Sequence, residues 1–242
     1  MPMEIGSFTH VGMVREINED SFMVGDNFAI IADGMGGHRK GEIASQIAVE
    51  VFSETLSGFN SDNYEIPMRG AIDAANSKIF KLAEANSEMF GMGTTVIACV
   101  WNDKEIYVAN VGDSRCYLIR NNEIKQISVD HSYVQQLLSQ GKITYEEAKK
   151  RRDRNLITRA VGCEEETETD IFKIKRENDD IIVLCSDGLS NMIDDSIIKN
   201  NLLKKGTMQS KVEKLVKLAN KNGGGDNVTL VALKFEKEEE SE

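Results

Sequence analysis

The sequence predicts an α+β sandwich, and its strand, turn and helix patterns all support this fold class. Six segments rich in apolar and β-branched residues have strand length: 28–32, 95–101, 105–109, 115–120, 181–185 and 228–235. Polar breaks at 102–104 and 121–122 would turn consecutive strands back on themselves, which favours antiparallel pairing over βαβ units. Helical patterns occur before, between and after these strands, as expected for helices that cover sheets.

Three segments are predicted to form helices that pack on the sheets: 41–56, 67–85 and 210–220. Pro67 suits the start of the second helix. The apolar residues predicted to face inward are Ile43, Ile47, Val51 and Phe52 in the first helix, Ile72, Ala75, Ile79 and Leu82 in the second, and Val212, Leu215, Val216 and Ala219 in the third. Between the second and third of these helices, two polar helices are predicted at 133–140 and 145–152. They indicate a surface insert that contributes little to the core.

Length and composition restrict the organisation of the chain. Its 242 residues, 40% of them hydrophobic, fit one domain over 1–235, followed by an acidic tail at 236–242. No apolar run is long enough to span a bilayer and no segment resembles a secretory signal, so we expect a soluble, cytoplasmic protein. The net charge of −11 argues against nucleic-acid or anionic-membrane partners.

The four cysteines indicate free thiols rather than a structural site. Cys99, Cys116, Cys163 and Cys185 are far apart in sequence and form no C-x-x-C pair. Three of them lie in apolar, strand-like segments. Buried thiols in a reducing compartment are therefore expected, rather than disulfides or a zinc site.

The positions of the aspartates suggest a metal site. Asp33, Asp113, Asp187 and Asp226 each stand at a predicted strand end beside glycine. Any one of them could be ordinary turn chemistry, but four such positions at strand ends could bring carboxylates together at one rim. Carboxylates packed together repel one another unless cations neutralise them, and all-oxygen ligands select Mg²⁺ or Mn²⁺. We therefore predict a multi-metal carboxylate site.

A further charged cluster precedes the first predicted strand. Arg15 offers a planar fork for phosphate oxygens, and Glu19 and Asp20 could reach metal-bound water. Charged runs are more often solvated faces, so this cluster gains its meaning only together with the four aspartates.

Six segments together resemble the metal-dependent protein phosphatases of the type 2C (PPM) family, particularly its compact bacterial members. The matching segments are 14–20, 33–38, 93–95, 110–115, 186–189 and 225–229, in the order of the family. The resemblance implies a four-layer α-β-β-α sandwich of two antiparallel sheets flanked by helices, with a helical flap insert at about 131–162. It also implies two Mn²⁺ or Mg²⁺ ions, and a third, weaker metal site.

The resemblance also assigns roles to individual residues. By position, Asp33 would bridge both ions and the Gly34 carbonyl would bind one of them. Asp187 and Asp226 would ligate the first ion, Glu19 would hold water on the second, and Asp20 would support that network. Asp113 with Asp187 matches the third site, Arg15 the phosphate-binding arginine, and His38 the proposed general acid.

These roles predict hydrolysis of phosphoserine and phosphothreonine in proteins by a metal-activated water. Phosphoproteins would be the partners, including a cognate Ser/Thr kinase and its substrates in bacterial signalling, and a monomer is expected. Two alternatives remain open: a catalytically weak relative that binds phosphoproteins through the same cleft, and a phosphatase of another phosphoester such as a nucleotide.

Three features have simpler interpretations beside the functional ones. Arg115 is expected to support Asp113 structurally, and His131 to serve at a helix start or in the flap rather than as a ligand. The basic run at 149–154 most simply forms a solvated helix end. A second hypothesis for this run is that it docks acidic phosphoprotein segments.

Overall fold

The computed structural model describes residues 3–36, 40–151 and 153–236. It contains two antiparallel sheets. The first sheet has five strands in the order β1 (Met3–His10), β11 (Val228–Phe235), β10 (Ile181–Cys185), β7 (Arg115–Arg120) and β8 (Glu123–Gln126).

The second sheet has the order β2 (Asp20–Val24), β3 (Phe28–Met35), β5 (Val96–Trp101), β6 (Glu105–Val111) and β9 (Asp170–Lys175), and the short β4 (Gly93–Thr94) pairs with the end of β3. All of these pairings are antiparallel. The antiparallel pairing predicted across the polar breaks is therefore confirmed by the β5–β6 and β7–β8 hairpins.

Helices cover the outer face of each sheet. The second sheet carries α1 (Lys40–Leu56) and α2 (Glu65–Ala85), and a short 3-10 helix follows at Ser87–Met89. The first sheet carries α6 (Asp195–Leu202) and α7 (Met208–Lys221), with the one-turn α5 (Asp187–Ser190) before them. Two further helices, α3 (Tyr133–Ser139) and α4 (Tyr145–Lys150), lie in the connection between β8 and β9.

Three apolar clusters separate these layers. One lies between α1, α2 and the second sheet, and one between α6, α7 and the first sheet. The third fills the space between the sheets, where Ile31 and Ile97 meet the layer formed by Ile182, Leu184 and Val231. The predicted four-layer α-β-β-α sandwich is confirmed.

Tight turns fix the strand register on both sheets. Asn121 and Asn122 have φ values of 51° and 64° and connect β7 to β8 by a two-residue turn, a conformation that asparagine tolerates better than most residues. Between β5 and β6, the Asn102 side chain accepts hydrogen bonds from the backbone N–H groups of Lys104 and Glu105. Both polar breaks therefore act as the sequence predicts.

The helices differ from prediction mainly at their ends. The second helix begins at Glu65, so Pro67 lies inside its first turn, where its missing N–H group costs little. In α1, Val51 and Phe52 are buried as expected, but Ile43 and Ile47 are only partly buried. Small side chains such as Ala44 and Ala48 take the buried positions of α1 instead.

The remaining differences concern short elements and the thiols. The predicted helix 145–152 ends at Lys150, and Arg152 is outside the described residues. Cys99, Cys116 and Cys185 are buried free thiols, as predicted, whereas Cys163 is exposed. Among residues 3–36, 40–151 and 153–236, no helix is long and apolar enough to cross a membrane.

The layer between the sheets should dominate stability. Ile182→Ala removes a fully buried side chain from this layer and should lower the free energy of unfolding by about 2–5 kcal/mol. Ile5→Ala is the matched control, because this edge-strand side chain is 38% exposed, and should cost less than about 1 kcal/mol. Urea unfolding monitored by circular dichroism measures both. Equal costs for the two variants would contradict the central position of this layer.

Candidate metal centre

The predicted acidic residues meet at one cavity. Its volume is about 320 Å³, and its lining includes the five carboxylates Glu19, Asp33, Asp113, Asp187 and Asp226 together with Arg15 and Gly34. Each carboxylate comes from a different segment. Asp33 lies in β3, Asp187 begins α5, and the other three lie in the loops before β2, between β6 and β7, and before β11.

Asp20 lies behind this cavity and is held by hydroxyl groups. It stands opposite Asp33 in the register of β2 and β3. Its Oδ2 accepts hydrogen bonds from Ser186 Oγ at 2.8 Å and Thr229 Oγ1 at 2.6 Å. Its Oδ1 is also buried but has no hydrogen-bond partner among the described residues. A buried carboxylate oxygen without a donor calls for a positive group, because an unpaired buried charge is strongly unfavourable.

The buried carboxylates hold their protons unusually tightly. Burial is the largest cause that raises the pKa of Asp33 well above its ordinary value, followed by repulsion from Asp20, Asp187 and Asp113. Burial also raises the pKa of Asp20 to about 7, although its two hydroxyl donors act in the opposite direction. Such shifts are typical of carboxylates gathered at functional sites.

The same causes act on the aspartates farther along the chain. Burial, then repulsion from Asp187 and Asp130, raises the pKa of Asp113 to about 8. Burial, then repulsion from Asp226, raises the pKa of Asp187 to about 6. Burial likewise raises the pKa of Glu19. A cation in the cavity would favour the ionised form of all these groups.

Glycine lets the backbones at the site approach closely. A Cβ at Gly34 would lie 2.1 Å from the Gly41 carbonyl oxygen and 2.6 Å from the Glu19 carbonyl oxygen. A Cβ at Gly188 would lie 1.9 Å from the Asn227 carbonyl oxygen. The Asp-Gly pairs therefore do more than form turns, since they bring carboxylate-bearing segments into contact.

Threonines fix the backbone of Asp33. The Asp33 N–H donates to Thr95 Oγ1 at 3.1 Å, and its carbonyl oxygen accepts from the Thr94 hydroxyl at 2.9 Å and from the Thr95 N–H at 2.9 Å. Thr95 Oγ1 also lies 2.8 Å from Ser114 Oγ, beside Asp113. One hydroxyl pair therefore links the two aspartate segments.

Asn227 connects the Arg15–Asp20 segment to the start of β11. Its Nδ2 donates to the carbonyl oxygens of Val11 and Ile17, each at 2.9 Å, and its Oδ1 accepts from the Glu19 N–H at 2.8 Å. Asn227 is nearly fully buried, so these bonds are shielded from water. The Asn227 side chain therefore fixes the position of Glu19 relative to Asp226, the residue that precedes Asn227 in the sequence.

Arg15 pairs with one of the carboxylates. Its Nη2 lies 2.9 Å from Asp226 Oδ2, and half of the arginine side chain is exposed. An exposed pair of this kind contributes only about 0–1 kcal/mol, so a stronger ligand for Asp226 could displace it. Among the described residues, no group of three or more His, Cys, Asp or Glu side chains is arranged as a ready ion cage. The Arg15 guanidinium engages one oxygen of Asp226, and two hydroxyls engage Asp20 Oδ2.

The donor set nevertheless fits hard divalent ions. All the acidic side chains here offer oxygen, and no thiol or imidazole lines the described part of the cavity. The unpartnered Asp20 Oδ1 and the raised pKa values are both consistent with a site that is balanced by positive charge. Glu19, Asp33, Asp113, Asp187 and Asp226 are the residues that could provide it with ligands.

The structure corrects the sequence-based interpretation of Arg115 and agrees with a structural role for His131. Arg115 does not pair with Asp113, because its guanidinium binds Asp130 at 2.6–3.0 Å. The charge of Arg115 still lowers the pKa of Asp113, but this effect is smaller than the opposite effects of burial and of the neighbouring carboxylates. His131 has a structural role, as expected: its Nδ1 accepts from the Gly112 N–H at 3.1 Å, and its Nε2 lies 3.1 Å from Asp170.

Some predicted residues lie outside the described part of the chain or are already paired. Gly37, His38 and Arg152 are outside the described residues. In the basic run, Lys149 pairs with Asp194 at 3.0 Å and Arg151 with Asp153 at 2.7 Å. Docking of acidic segments by this run stays a hypothesis, and two of its charges already have partners.

The sequence analysis gave no role to several residues of the site. Ser186 and Thr229 hold Asp20, Asn227 connects two segments, and Asn155 and Ile157 line the cavity. Ser186, Asn227 and Thr229 belong to the six matched segments, and Asn155 and Ile157 belong to the flap insert, but polar side chains in strands and loops usually serve turns or surfaces. Only the hydrogen bonds distinguish these residues from their neighbours.

The fold is that of serine/threonine protein phosphatases of known structure. The Mycobacterium tuberculosis serine/threonine phosphatase PstP/Ppp superposes with a TM-score of 0.93 at 35% identity, over 97% of this chain and 99% of the other. The catalytic domain of a phosphatase PstP in complex with two manganese ions gives a TM-score of 0.90 at 34% identity, over 97% and 99% of the two chains.

Sequence comparison leads to the family. Residues 14–230 match the family described as protein phosphatase 2C. The serine/threonine phosphatase stp of Listeria welshimeri is 37% identical over 234 residues, which cover 93% of each chain. The chain belongs to the protein phosphatase 2C family, which confirms the resemblance seen in the sequence.

The Asn227 clamp can be tested through stability. Asn227→Ala leaves the partly buried Glu19 N–H and two carbonyl groups without their Asn227 partner and should lower the free energy of unfolding by about 2–4 kcal/mol. Asn60→Ala, at an exposed asparagine, should change it by less than about 0.5 kcal/mol. Urea titrations compare the two, and a loss for Asn227→Ala no larger than that of the control would mean that the clamp does not hold the site.

Proposed function

We propose that this chain hydrolyses phosphoserine and phosphothreonine in proteins with the help of Mn²⁺ or Mg²⁺. The observation that carries the proposal is the meeting of five carboxylates from separate segments with Arg15 in one cavity. Membership of the protein phosphatase 2C family and the manganese complex of a structural relative support the same activity and cofactor.

The residue roles follow from the matched motifs and form part of the proposal. Asp33 would hold both ions, the Gly34 carbonyl and the carboxylates of Asp187 and Asp226 would hold the first, and Glu19 would hold the second through water. Asp20 supports this arrangement from behind the cavity, and Asp113 with Asp187 offers a third, weaker site. In support of these roles, all except Asp20 line the cavity, and Asp20 lies opposite Asp33 across two paired strands.

When bound, two divalent ions supply an activated water and offset the charge of the phosphate. The protein's own groups bind and orient the substrate. Arg15 is half exposed at the cavity, so its guanidinium can leave Asp226 and bind two phosphate oxygens. Asn227 and the Thr94–Thr95 pair keep the acidic segments in fixed positions.

The leaving group also needs a proton. A serine or threonine alkoxide is a poor leaving group near neutral pH, and a histidine with an ordinary pKa near 6.5 is suited to protonate it. His38, five residues after Asp33, has this role in the proposal and is outside the described residues.

The proposal extends to the setting of the enzyme. We propose a cytoplasmic monomer whose residues 1–235 act as one domain and whose substrates include a Ser/Thr kinase and its targets. The 131–162 segment would act as a flap, since Ile157 and Asn155 from this segment line the carboxylate cavity.

Activity should depend on divalent ions and on the central aspartates. Purified protein titrated with Mn²⁺ should release phosphate from phosphothreonine and phosphoserine peptides, with far less release from phosphotyrosine peptides. Asp33→Asn and Asp187→Asn should reduce kcat/KM by more than about 100-fold, because each removes an anionic ligand from the ion site.

The control is Asp62→Asn, at an acid that does not line the cavity, and it should leave turnover intact. No release from either phosphoamino acid at any Mn²⁺ concentration would refute the enzyme. Release of phosphate from nucleotides but not from the phosphopeptides would mean that the enzyme acts on another class of phosphoester.

Metal binding should be detectable without turnover and should weaken as the pH falls. The raised pKa values of Asp20, Asp113 and Asp187, at about 7, 8 and 6, mean that protons compete with cations for these carboxylates below about pH 8. The ionised forms dominate above these pKa values, so Mn²⁺ affinity should fall on going from pH 8 to pH 6.

Thermal unfolding with and without Mn²⁺ measures this effect, since a ligand at 100 times its Kd stabilises by about 2.7 kcal/mol. Asp33→Asn provides the comparison and should lose most of the Mn²⁺-dependent shift. A shift that is independent of pH would contradict binding by these carboxylates.

A further inference from the structure

A second and larger cavity adjoins the carboxylate cavity. Its volume is about 830 Å³, and it lies between α2 and the 157–169 segment. Met35 and Ile157 line both cavities, so the two spaces are neighbours across these side chains. We refer to the larger space as the α2 groove. A chain whose phosphorylated residue enters the carboxylate cavity would have its neighbouring residues near this groove.

The α2 groove carries an excess of negative charge. Its lining includes four carboxylates and two arginines: Asp73, Glu164, Glu166, Glu168, Arg69 and Arg159. Both arginines are already engaged. Arg159 donates to Glu168 and Asp170, each at 2.9 Å, and Arg69 donates to the Thr169 carbonyl oxygen and to Glu65.

Three of the carboxylates remain free for a ligand. Within the described part of the chain, no Lys, Arg or His side chain forms an ion pair with Asp73, Glu164 or Glu166. All three side chains are exposed. The free charge of the groove is therefore negative, and a basic side chain is its natural complement.

A buried hydroxyl in the lining gives an independent indication of a ligand. Thr169 is only 3% exposed, and its Oγ1 has no hydrogen-bond partner among the described residues. The Thr167 Oγ1, also in the lining, is likewise without a partner there. Buried polar atoms are nearly always satisfied, so these two hydroxyls in one wall lack a partner that a water molecule or a ligand group would supply.

The wall of the groove is fixed in place before any ligand binds. Asn76, buried in α2, donates to the carbonyl oxygens of Glu164 and Glu165 at 3.0 Å and accepts from the Gly162 N–H at 2.6 Å. These bonds attach the acidic loop to a long helix. A wall that is already ordered costs little further conformational entropy when a ligand binds.

We propose that the α2 groove binds the part of the phosphoprotein substrate next to the phosphorylated residue, and that it selects a lysine or arginine there. The inference rests on the proposed phosphatase activity and adds a preference to it. Extended chain advances about 3.3 Å per residue, so a basic residue a few positions away reaches past Met35 and Ile157. The free carboxylates bind its charge, and the threonine hydroxyls can bind its backbone.

The preference can be measured with matched phosphothreonine peptides. Each carries arginine, alanine or glutamate at one position, scanned from four residues before to four residues after the phosphothreonine. For at least one position, the wild-type kcat/KM should be about tenfold higher with arginine than with alanine, and lower with glutamate. Two exposed charge contacts of modest strength give a factor of this size.

Charge reversal in the groove should remove this preference. Asp73→Lys/Glu166→Lys should bring the arginine-to-alanine ratio close to one while the turnover of a small aryl phosphate stays unchanged. Glu84→Lys/Glu88→Lys is the matched control, because it changes the net charge equally at exposed residues outside the groove, and it should keep the wild-type ratio.

The hydroxyl is tested separately. Thr169→Val keeps the shape of the side chain and removes only the orphaned donor, so it should raise KM for the peptides several-fold and leave the aryl phosphate unaffected. Unfolding measurements on each variant show that it is folded.

Different failures have different meanings. If wild type hydrolyses neither the phosphothreonine peptides nor the aryl phosphate, the proposed function fails and not only the groove. If the wild type shows no basic preference at any position, or if both double variants lower the ratio equally, the groove proposal is overturned. An equal loss on peptides and aryl phosphate in Asp73→Lys/Glu166→Lys would overturn it too, since the groove would then act on the metal centre.

Discussion

The repulsion between carboxylates gathered at one cavity is the constraint on which the rest of the structure depends. Burial and mutual repulsion raise the pKa of Asp33, Asp113 and Asp187, so each acid destabilises the arrangement unless positive charge or donors offset it. Two contacts offset part of this repulsion: Arg15 binds Asp226, and hydroxyl groups donate to one oxygen of Asp20. The remaining lack of positive charge would make divalent cations favourable there, and it would also make their binding sensitive to pH.

The sandwich positions these acids by fixing the backbone segments that carry them, and not by packing against the carboxylates themselves. Antiparallel pairing of β2 and β3 sets Asp20 opposite Asp33, and glycine at 34 and 188 lets neighbouring segments touch. The Asn227 side chain then joins the loop of Arg15 to the strand that follows Asp226. Beyond the cavity, Asn76 holds the acidic wall of the α2 groove in the same manner. Buried amides at 76 and 227 therefore connect the rigid layers to the loops that line the two cavities.

Sequence patterns predicted the six strands that lie inside the two sheets and missed the four at their edges and the two-residue β4. Strands β3, β5, β6, β7, β10 and β11 each have a neighbour on both sides, whereas β1, β2, β8 and β9 each end a sheet. An inner strand of a sandwich is buried on both faces and reads as a continuous apolar run, whereas β8 and β9 contain exposed charged residues. The short helices α5 and α6 were missed for a related reason, since four to eight residues give little periodicity.

The sequence by itself determined the chemistry of the ligands: oxygen-donating acids beside glycine, in an order that a known family shares, fix a preference for hard cations. It also predicted the helices and inner strands of an α+β sandwich, because apolar periodicity depends only on near neighbours, whereas the four-layer arrangement was implied by the family resemblance. Only the tertiary structure decided that Arg115 serves Asp130, that Asp20 keeps one unpartnered oxygen, and that an acidic groove adjoins the cavity. Those facts depend on atoms brought together from distant parts of the chain, and hydrogen bonds and charge pairs of that range leave no local pattern in the sequence.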